Sequence, residues 1–242
     1  MIEVNGITKN FKEIKAVDKI SFKVSNGEIV GLLGENGAGK TTTLRILATM
    51  LKPTVGSAVV NGKDVVKSPQ NVRKEIGVLF GGESGIYDRL TARENIRYFA
   101  ELNDMPKEKI NPRIDYLSKI FNMGEYIDRK AGKFSKGMKQ KVALARSIVH
   151  DPGVMLFDEP TSGLDVTAAR EVHGFIKICK EEGKTIIFSS HSMQEVEKLC
   201  ERVVIIHKGK IVEDAKLTEL RDKYDKSLED IFVGLVGDRN EL

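Results

Sequence analysis

Short runs of aliphatic and β-branched residues alternate with longer stretches of helical periodicity along the 242-residue chain. This alternation is the signature of a parallel sheet whose strands are joined by crossover helices. Residues 29–33, 76–80, 154–157, 185–189 and 203–207 are the clearest strands. Several are apolar at every position, as strands covered on both faces are. Residues 2–7, 20–24 and 57–60 predict antiparallel strands, the last entering an Asn61-Gly62 turn, and Lys208-Gly209 predicts a hairpin into 210–212. From Thr91 to about Val149 the pattern turns helical. Thr91-Ala92-Arg93-Glu94 is a capping box, and Pro106 and Pro112 mark the start of the next helix, whose first turn tolerates proline. This block, about 84–150, lies inside the α/β pattern and reads as an inserted helical subdomain. A tail of about 215–242 adds two amphipathic stretches, with Leu228, Ile231, Phe232 and Leu235 at helical spacing.

Composition narrows the class. Hydrophobic residues make up 40% and charged residues 31%, a globular balance, and 39 Lys plus Arg against 35 Asp plus Glu leave a net charge of +4. That bias is too weak, and too interleaved with acidic residues, to point to nucleic acid. Cys179 and Cys200 lack metal spacing and read as free thiols of a reducing compartment, or as one buried pair. No signal-peptide pattern opens the chain, and no run approaches the roughly 18 apolar residues of a membrane span. A cytoplasmic protein is expected, acting at a membrane only through a partner.

Gly34-Glu35-Asn36-Gly37-Ala38-Gly39-Lys40-Thr41 matches the phosphate-loop pattern, and Thr42 extends it into a helix through Leu44 and Leu47. The loop follows an apolar strand, which is the context this motif requires. Its glycines let successive N–H groups face phosphates, and the helix N-terminus adds partial positive charge. Lys40 is placed to reach the β- and γ-phosphates, and the Thr41 hydroxyl to ligate Mg²⁺. Downstream, Val154-Met155-Leu156-Phe157 ends in Asp158-Glu159. A carboxylate at the end of a buried parallel strand stands at the sheet edge that carries the phosphate loop. Asp158 is then the second Mg²⁺ residue and Glu159 the group that orients or deprotonates water; a solvated acidic pair is the competing reading.

Three further segments narrow the field. Phe134-Ser135-Lys136-Gly137-Met138-Lys139-Gln140-Lys141 resembles the signature of ABC transporter ATP-binding subunits, Ser162-Gly163-Leu164-Asp165 resembles the loop after their catalytic glutamate, and Ser189-Ser190-His191 is similar to their switch histidine. Order and spacing agree over nearly the whole chain. The resemblance implies an α/β fold: a P-loop NTPase core with a mainly parallel sheet, an N-terminal antiparallel β subdomain and the inserted α-helical subdomain, in one domain over residues 1–242. It implies an ATPase that uses ATP and Mg²⁺ and pairs head to tail with a second ATP-binding subunit, expected to be a copy of itself. Ser135, Lys136, Gly137 and Met138 of one chain then face ATP on the other, Asp165 lies in the dimer loop, and His191 contacts the γ-phosphate or the attacking water. Phe11 holds the place of an adenine-stacking aromatic; an ordinary core phenylalanine is the alternative.

Lys136 and Met138 depart from the usual signature, and Gly81 stands where the family places a metal-sensing glutamine, with Glu83 as a substitute nearby. Together with GVLFGGESGIYDRLTARENI and FSSHSMQEVEKLCERVVIIHKGKIVED, these departures resemble the sodium-exporter (Nat-type) branch. That branch implies Na⁺ efflux through a separate integral membrane permease, with this subunit peripheral on the inner face of the membrane. A soluble ABC ATPase acting on nucleic acid or ribosomes is the alternative, against which stand a single phosphate loop and no heptad run. His150, at the end of the signature helix where the helix dipole suits a cation, His173 and His207 read as structural or exposed.

Overall fold

In the computed structural model, residues 1–80 and 85–237 are described. The chain opens with two long antiparallel strands, β1 (Ile2–Phe11) and β2 (Ile14–Val24), before β3 (Ile29–Leu33) runs into α1 (Lys40–Leu47). β4 (Val55–Val60) and the short β5 (Lys63–Asp64) flank Asn61-Gly62, whose φ angles of 47° and 76° suit a tight hairpin turn. α2 (Pro69–Glu75) leads to β6 (Ile76–Leu79), and then the helical block follows: α3 (Ala92–Leu102), α4 (Lys107–Ile120) and α5 (Lys136–Ser147). The α/β pattern resumes with β7 (Val154–Asp158), α6 (Val166–Glu181), β8 (Thr185–Ser190), α7 (Met193–Leu199) and β9 (Arg202–His207). β10 (Lys210–Lys216), α8 (Leu217–Tyr224) and α9 (Leu228–Gly237) close the described chain.

Two sheets result. β2-β1-β4-β5 is antiparallel, and β10-β9-β3-β8-β7-β6 is parallel except at its β10 edge. The pleat explains why the central strands are apolar throughout. Ile29 and Leu33 of β3, Met155 and Phe157 of β7, Ile186 and Phe188 of β8, and Val203 and Ile205 of β9 enter the core shared with the helices. Their neighbours Val30, Leu32, Val154, Leu156, Ile187, Val204 and Ile206 enter a second core with α1 and the antiparallel sheet. Alternate side chains of one strand point to opposite faces, so each strand is split between the two cores.

The inserted block is tied on by helical spacing: Ala92, Ile96 and Ala100 of α3 and Ile110, Ile114 and Leu117 of α4 are buried in the helix-side core. The capping box forms, with the Thr91 hydroxyl accepting from Glu94 N at 3.1 Å and the Glu94 carboxylate accepting from Thr91 N at 2.7 Å. The tail docks through Leu228, Ile231 and Phe232, while Leu235 is half-buried. Both cysteines are free and buried. Among the described residues no helix is long and apolar enough to cross a membrane.

Three expectations change. β1 and β2 run further than 2–7 and 20–24, because their outer halves carry Lys9, Asn10, Lys15 and Lys19 toward solvent, and β-bulges interrupt the alternation. Pro112 sits inside α4 rather than in its first turn. It is exposed, as is Glu108, so the carbonyl left without an N–H partner faces water. His150 is not a helix-dipole cation. α5 ends at Ser147, and the imidazole Nε2–H donates to the Ile76 carbonyl at 3.1 Å.

Burial holds the His150 imidazole below its ordinary value of 6.5, and the hydrogen bond to Ile76 only partly opposes this. The unfolded chain therefore takes up this proton first as pH falls, and stability declines through and below 6.5. His150→Gln keeps an N–H for Ile76 but removes the titration. Its denaturation midpoint is expected to fall less than that of the wild type between about pH 7.5 and 5.5, as measured by urea unfolding.

Candidate nucleotide-binding site

The phosphate loop is wedged into the fold at two points where only glycine fits. A Cβ on Gly34 would lie 2.3 Å from the Ile206 carbonyl oxygen, and one on Gly39, at φ 112°, 2.7 Å from that of Ala16. Ala38 is buried, and its carbonyl accepts from Gly209 N at 2.9 Å, so the β9–β10 hairpin also holds the loop. Lys40 is only 4% exposed. Its ammonium folds back to donate to the carbonyls of Gly34 at 2.6 Å and Glu35 at 3.0 Å. Burial lowers its pKa, and the attraction of Glu159, Asp158 and Glu35 only partly restores it. Glu35, Asn36, Gly37, Ala38, Gly39, Lys40, Thr41 and Thr42 line one concavity, and Glu159 closes it from β7.

The register of the parallel strands assembles the acidic side. Asp158 of β7 pairs with Ser189 of β8. The Asp158 carboxylate accepts from Thr41 Oγ1 at 2.8 Å and from Ser189 Oγ at 2.5 Å. Glu159 follows at φ 48°, an uncommon conformation for a non-glycine residue, and its N–H donates to Ser189 Oγ at 3.0 Å. Its carboxylate lies 3.3 Å from His191 Nδ1. Phosphate loop, metal-type oxygens, a strained glutamate and an imidazole thus converge at the carboxyl edge of the sheet. Ser189 is the residue whose role motif reading missed, because a serine at a strand end carries no pattern of its own; only its register with Asp158 reveals it.

Sequence-predicted residues beyond this edge are placed as follows. Ser135 is the N-cap of α5, accepting from Met138 N at 3.3 Å, and with Lys136 it is exposed, whereas Gly137 and Met138 are half-buried. None of the four lines the concavity of the phosphate loop. Lys136 lies over Gly163, where its Nζ occupies the space a Cβ would need. Asp165 is the N-cap of α6, accepting from Ala168 N at 2.8 Å. Gln140 Nε2 donates to the Pro160 carbonyl at 2.8 Å, joining the signature helix to the loop after Glu159. Phe11 is 43% exposed at the end of β1 with the Lys9 ammonium 5.1 Å from its ring centroid, so the core reading fails for it. His173 faces Glu195 at 3.0 Å, and the buried His207 lies 3.6 Å from the Glu35 carboxylate. Gly81 and Glu83 fall outside the described residues.

Comparison with known proteins agrees with this geometry. The family described as ABC transporter matches residues 17–162, a span holding the phosphate loop, the signature and Asp158-Glu159. The chain is 49% identical to the ABC transporter ATP-binding protein NatA of Bacillus subtilis, over 91% of each chain. It is 37% identical to the bacitracin transport ATP-binding protein BcrA of Bacillus licheniformis, over 95% of this chain and 74% of that one. Among solved structures, an ATP-binding subunit of an ABC transporter superposes with a TM-score of 0.90 at 27% identity, covering 97% of this chain and 99% of that one. A dimeric ATP-binding cassette in a post-hydrolysis state with ADP and phosphate superposes with a TM-score of 0.82 at 26% identity, covering 90% and 99%. The chain belongs to the ABC transporter family, as an ATP-binding subunit that hydrolyses ATP.

Proposed function

We propose that this subunit drives Na⁺ export through a separate integral membrane permease, working as a homodimer on the inner face of the membrane. The observation that carries the ATP-driven part is the pairing of Glu159, strained at the end of β7, with His191 at 3.3 Å beside the Asp158–Thr41 contact. The sodium cargo rests on the resemblance of the chain to the sodium-exporter branch, alongside its 49% identity to NatA.

In this reading the ATP phosphates replace the carbonyls of Gly34 and Glu35 as partners of Lys40, and the N–H groups that open α1 complete the cradle. Thr41 and Asp158 offer a hydroxyl and a carboxylate at 2.8 Å, an all-oxygen pair suited to Mg²⁺, which keeps several waters. The chemistry Mg²⁺ supplies there is neutralisation of charge on the phosphates. Glu159 orients the attacking water and takes its proton, and His191, beside it at 3.3 Å, contacts the γ-phosphate or that water. Phe11, exposed at the end of β1, stacks on adenine. Ser135 and Gly137, at the exposed start of α5, belong to the site of the partner copy, where helix-end N–H groups meet a γ-phosphate.

Lys40→Ala is expected to weaken Mg-ATP binding about ten- to hundredfold, the loss of charge-assisted hydrogen bonds. His191→Ala lowers kcat about a hundredfold with KM nearly unchanged, since it removes a transition-state contact. Steady-state kinetics and equilibrium nucleotide binding separate the two; wild-type turnover in His191→Ala removes the histidine from the chemistry. For cargo, the subunit reconstituted with its permease in vesicles is expected to move radioactive sodium on addition of ATP, and Glu159→Gln to abolish that movement. Movement of bacitracin without sodium would contradict the cargo and favour the function named for BcrA.

A further inference from the structure

In the cavity that Glu159 and His191 line lies a further carboxylate, that of Glu195. Glu195 stands in the first turn of α7, four residues after His191, and its side chain is only 16% exposed. One carboxylate oxygen accepts from the Thr161 hydroxyl and from His173 Nε2–H, the latter at 3.0 Å. The other accepts from Ser190 Oγ at 2.8 Å. Three elements therefore meet on one carboxylate: the loop that leaves Glu159, the middle of α6, and the end of β8.

The same hydroxyl that donates to Glu195 holds the backbone beyond the histidine. Ser190 Oγ accepts from Ser192 N at 2.9 Å, and Ser192 caps α7 by accepting from Glu195 N at 3.4 Å. His191 sits between these two serines with its side chain 61% exposed. So exposed an imidazole gains little aim from packing and depends on the backbone that carries it. Burial pushes the Glu195 carboxyl upward, but the hydrogen bonds from His173, Thr161 and Ser190 outweigh it and hold the group ionised below the usual carboxylate range. His173, Ser190 and Glu195 line, with Glu159 and His191, a single cavity that reaches the loop of Gly163 and Leu164.

We propose that Glu195 is the positioning residue of hydrolysis, holding His191 within reach of Glu159 and tying it to the 161–165 loop, with His173 bracing Glu195 from α6. This goes beyond the assignment of Glu159 and His191 to the chemistry and rests on that assignment. Its consequence is mechanical. A displacement of the 161–165 loop, which holds Asp165, reaches His191 through Thr161, Glu195 and Ser190 without passing through the nucleotide.

The test is a double-mutant cycle on the full chain, read as kcat and KM for Mg-ATP. Glu195→Gln is expected to lower kcat about tenfold at unchanged KM, yet to cost less than about twofold once His191 is already alanine. A carboxylate that serves only the fold would cost the same factor in both backgrounds, and that result, or an unchanged kcat in Glu195→Gln alone, overturns the inference. If Glu195→Gln lowers the melting temperature too far for assay, Ser190→Ala and Thr161→Val each remove one hydrogen bond and carry the same cycle. Wild-type turnover in His191→Ala is a separate outcome. It defeats the assignment of the histidine, and this inference with it.

Discussion

Strands β3, β7 and β8 bury both faces, so along their length they have no place for a polar side chain. Polarity can enter only where they end, and parallel pairing makes their carboxyl ends coincide. The register sets Leu33 against Ser190 and Asp158 against Ser189. The phosphate loop, Asp158, Glu159 and the serine–histidine turn are thus adjacent in space, although the sequence spreads them from Gly34 to His191. The two apolar cores are what enforce this register. A slip of one residue would turn every side chain of a strand from one core to the other.

Charge at that edge is prearranged. Lys40 is buried at a cost in solvation, which loop carbonyls and three nearby carboxylates offset only in part. Such a lysine gains by exchanging neutral carbonyls for phosphate oxygens. Glu159 is prearranged in another sense, since its left-handed backbone is held by a hydrogen bond to Ser189 and directs its carboxylate toward His191. Strain of this kind persists because the surrounding register leaves the residue no relaxed alternative.

Legibility followed the same physics. The all-apolar strands were readable because burial on both faces leaves a continuous signal, and the turns at Asn61-Gly62 and Lys208-Gly209 because positive φ favours asparagine and glycine at Asn61, Gly62 and Gly209. The outer halves of β1 and β2 were not, since a solvent-facing strand with bulges loses its period. Pro112 misled because a proline at an exposed turn of α4 harms little. In the site, the motif residues of the phosphate loop and Asp158-Glu159 were legible from residue type and strand context. Ser189 and Glu195 were not, because their roles arise from strand register and from elements distant in sequence.

In the proposed homodimer each catalytic site is shared between two copies of the chain, a reading supported by the absence of Ser135–Met138 from the lining of their own phosphate-loop concavity. Mixing two inactive variants tests it most directly. Lys40→Ala disables the loop, and Gly137→Asp sets a negative charge where the partner γ-phosphate is expected; a Cβ at that glycine meets nothing closer than 3.5 Å. At equal mixing, half the dimers pair unlike chains and each such dimer holds one intact site, so about a quarter of wild-type ATPase turnover is expected to return. A mixture no more active than either variant alone, with dimer formation verified, would contradict the shared site.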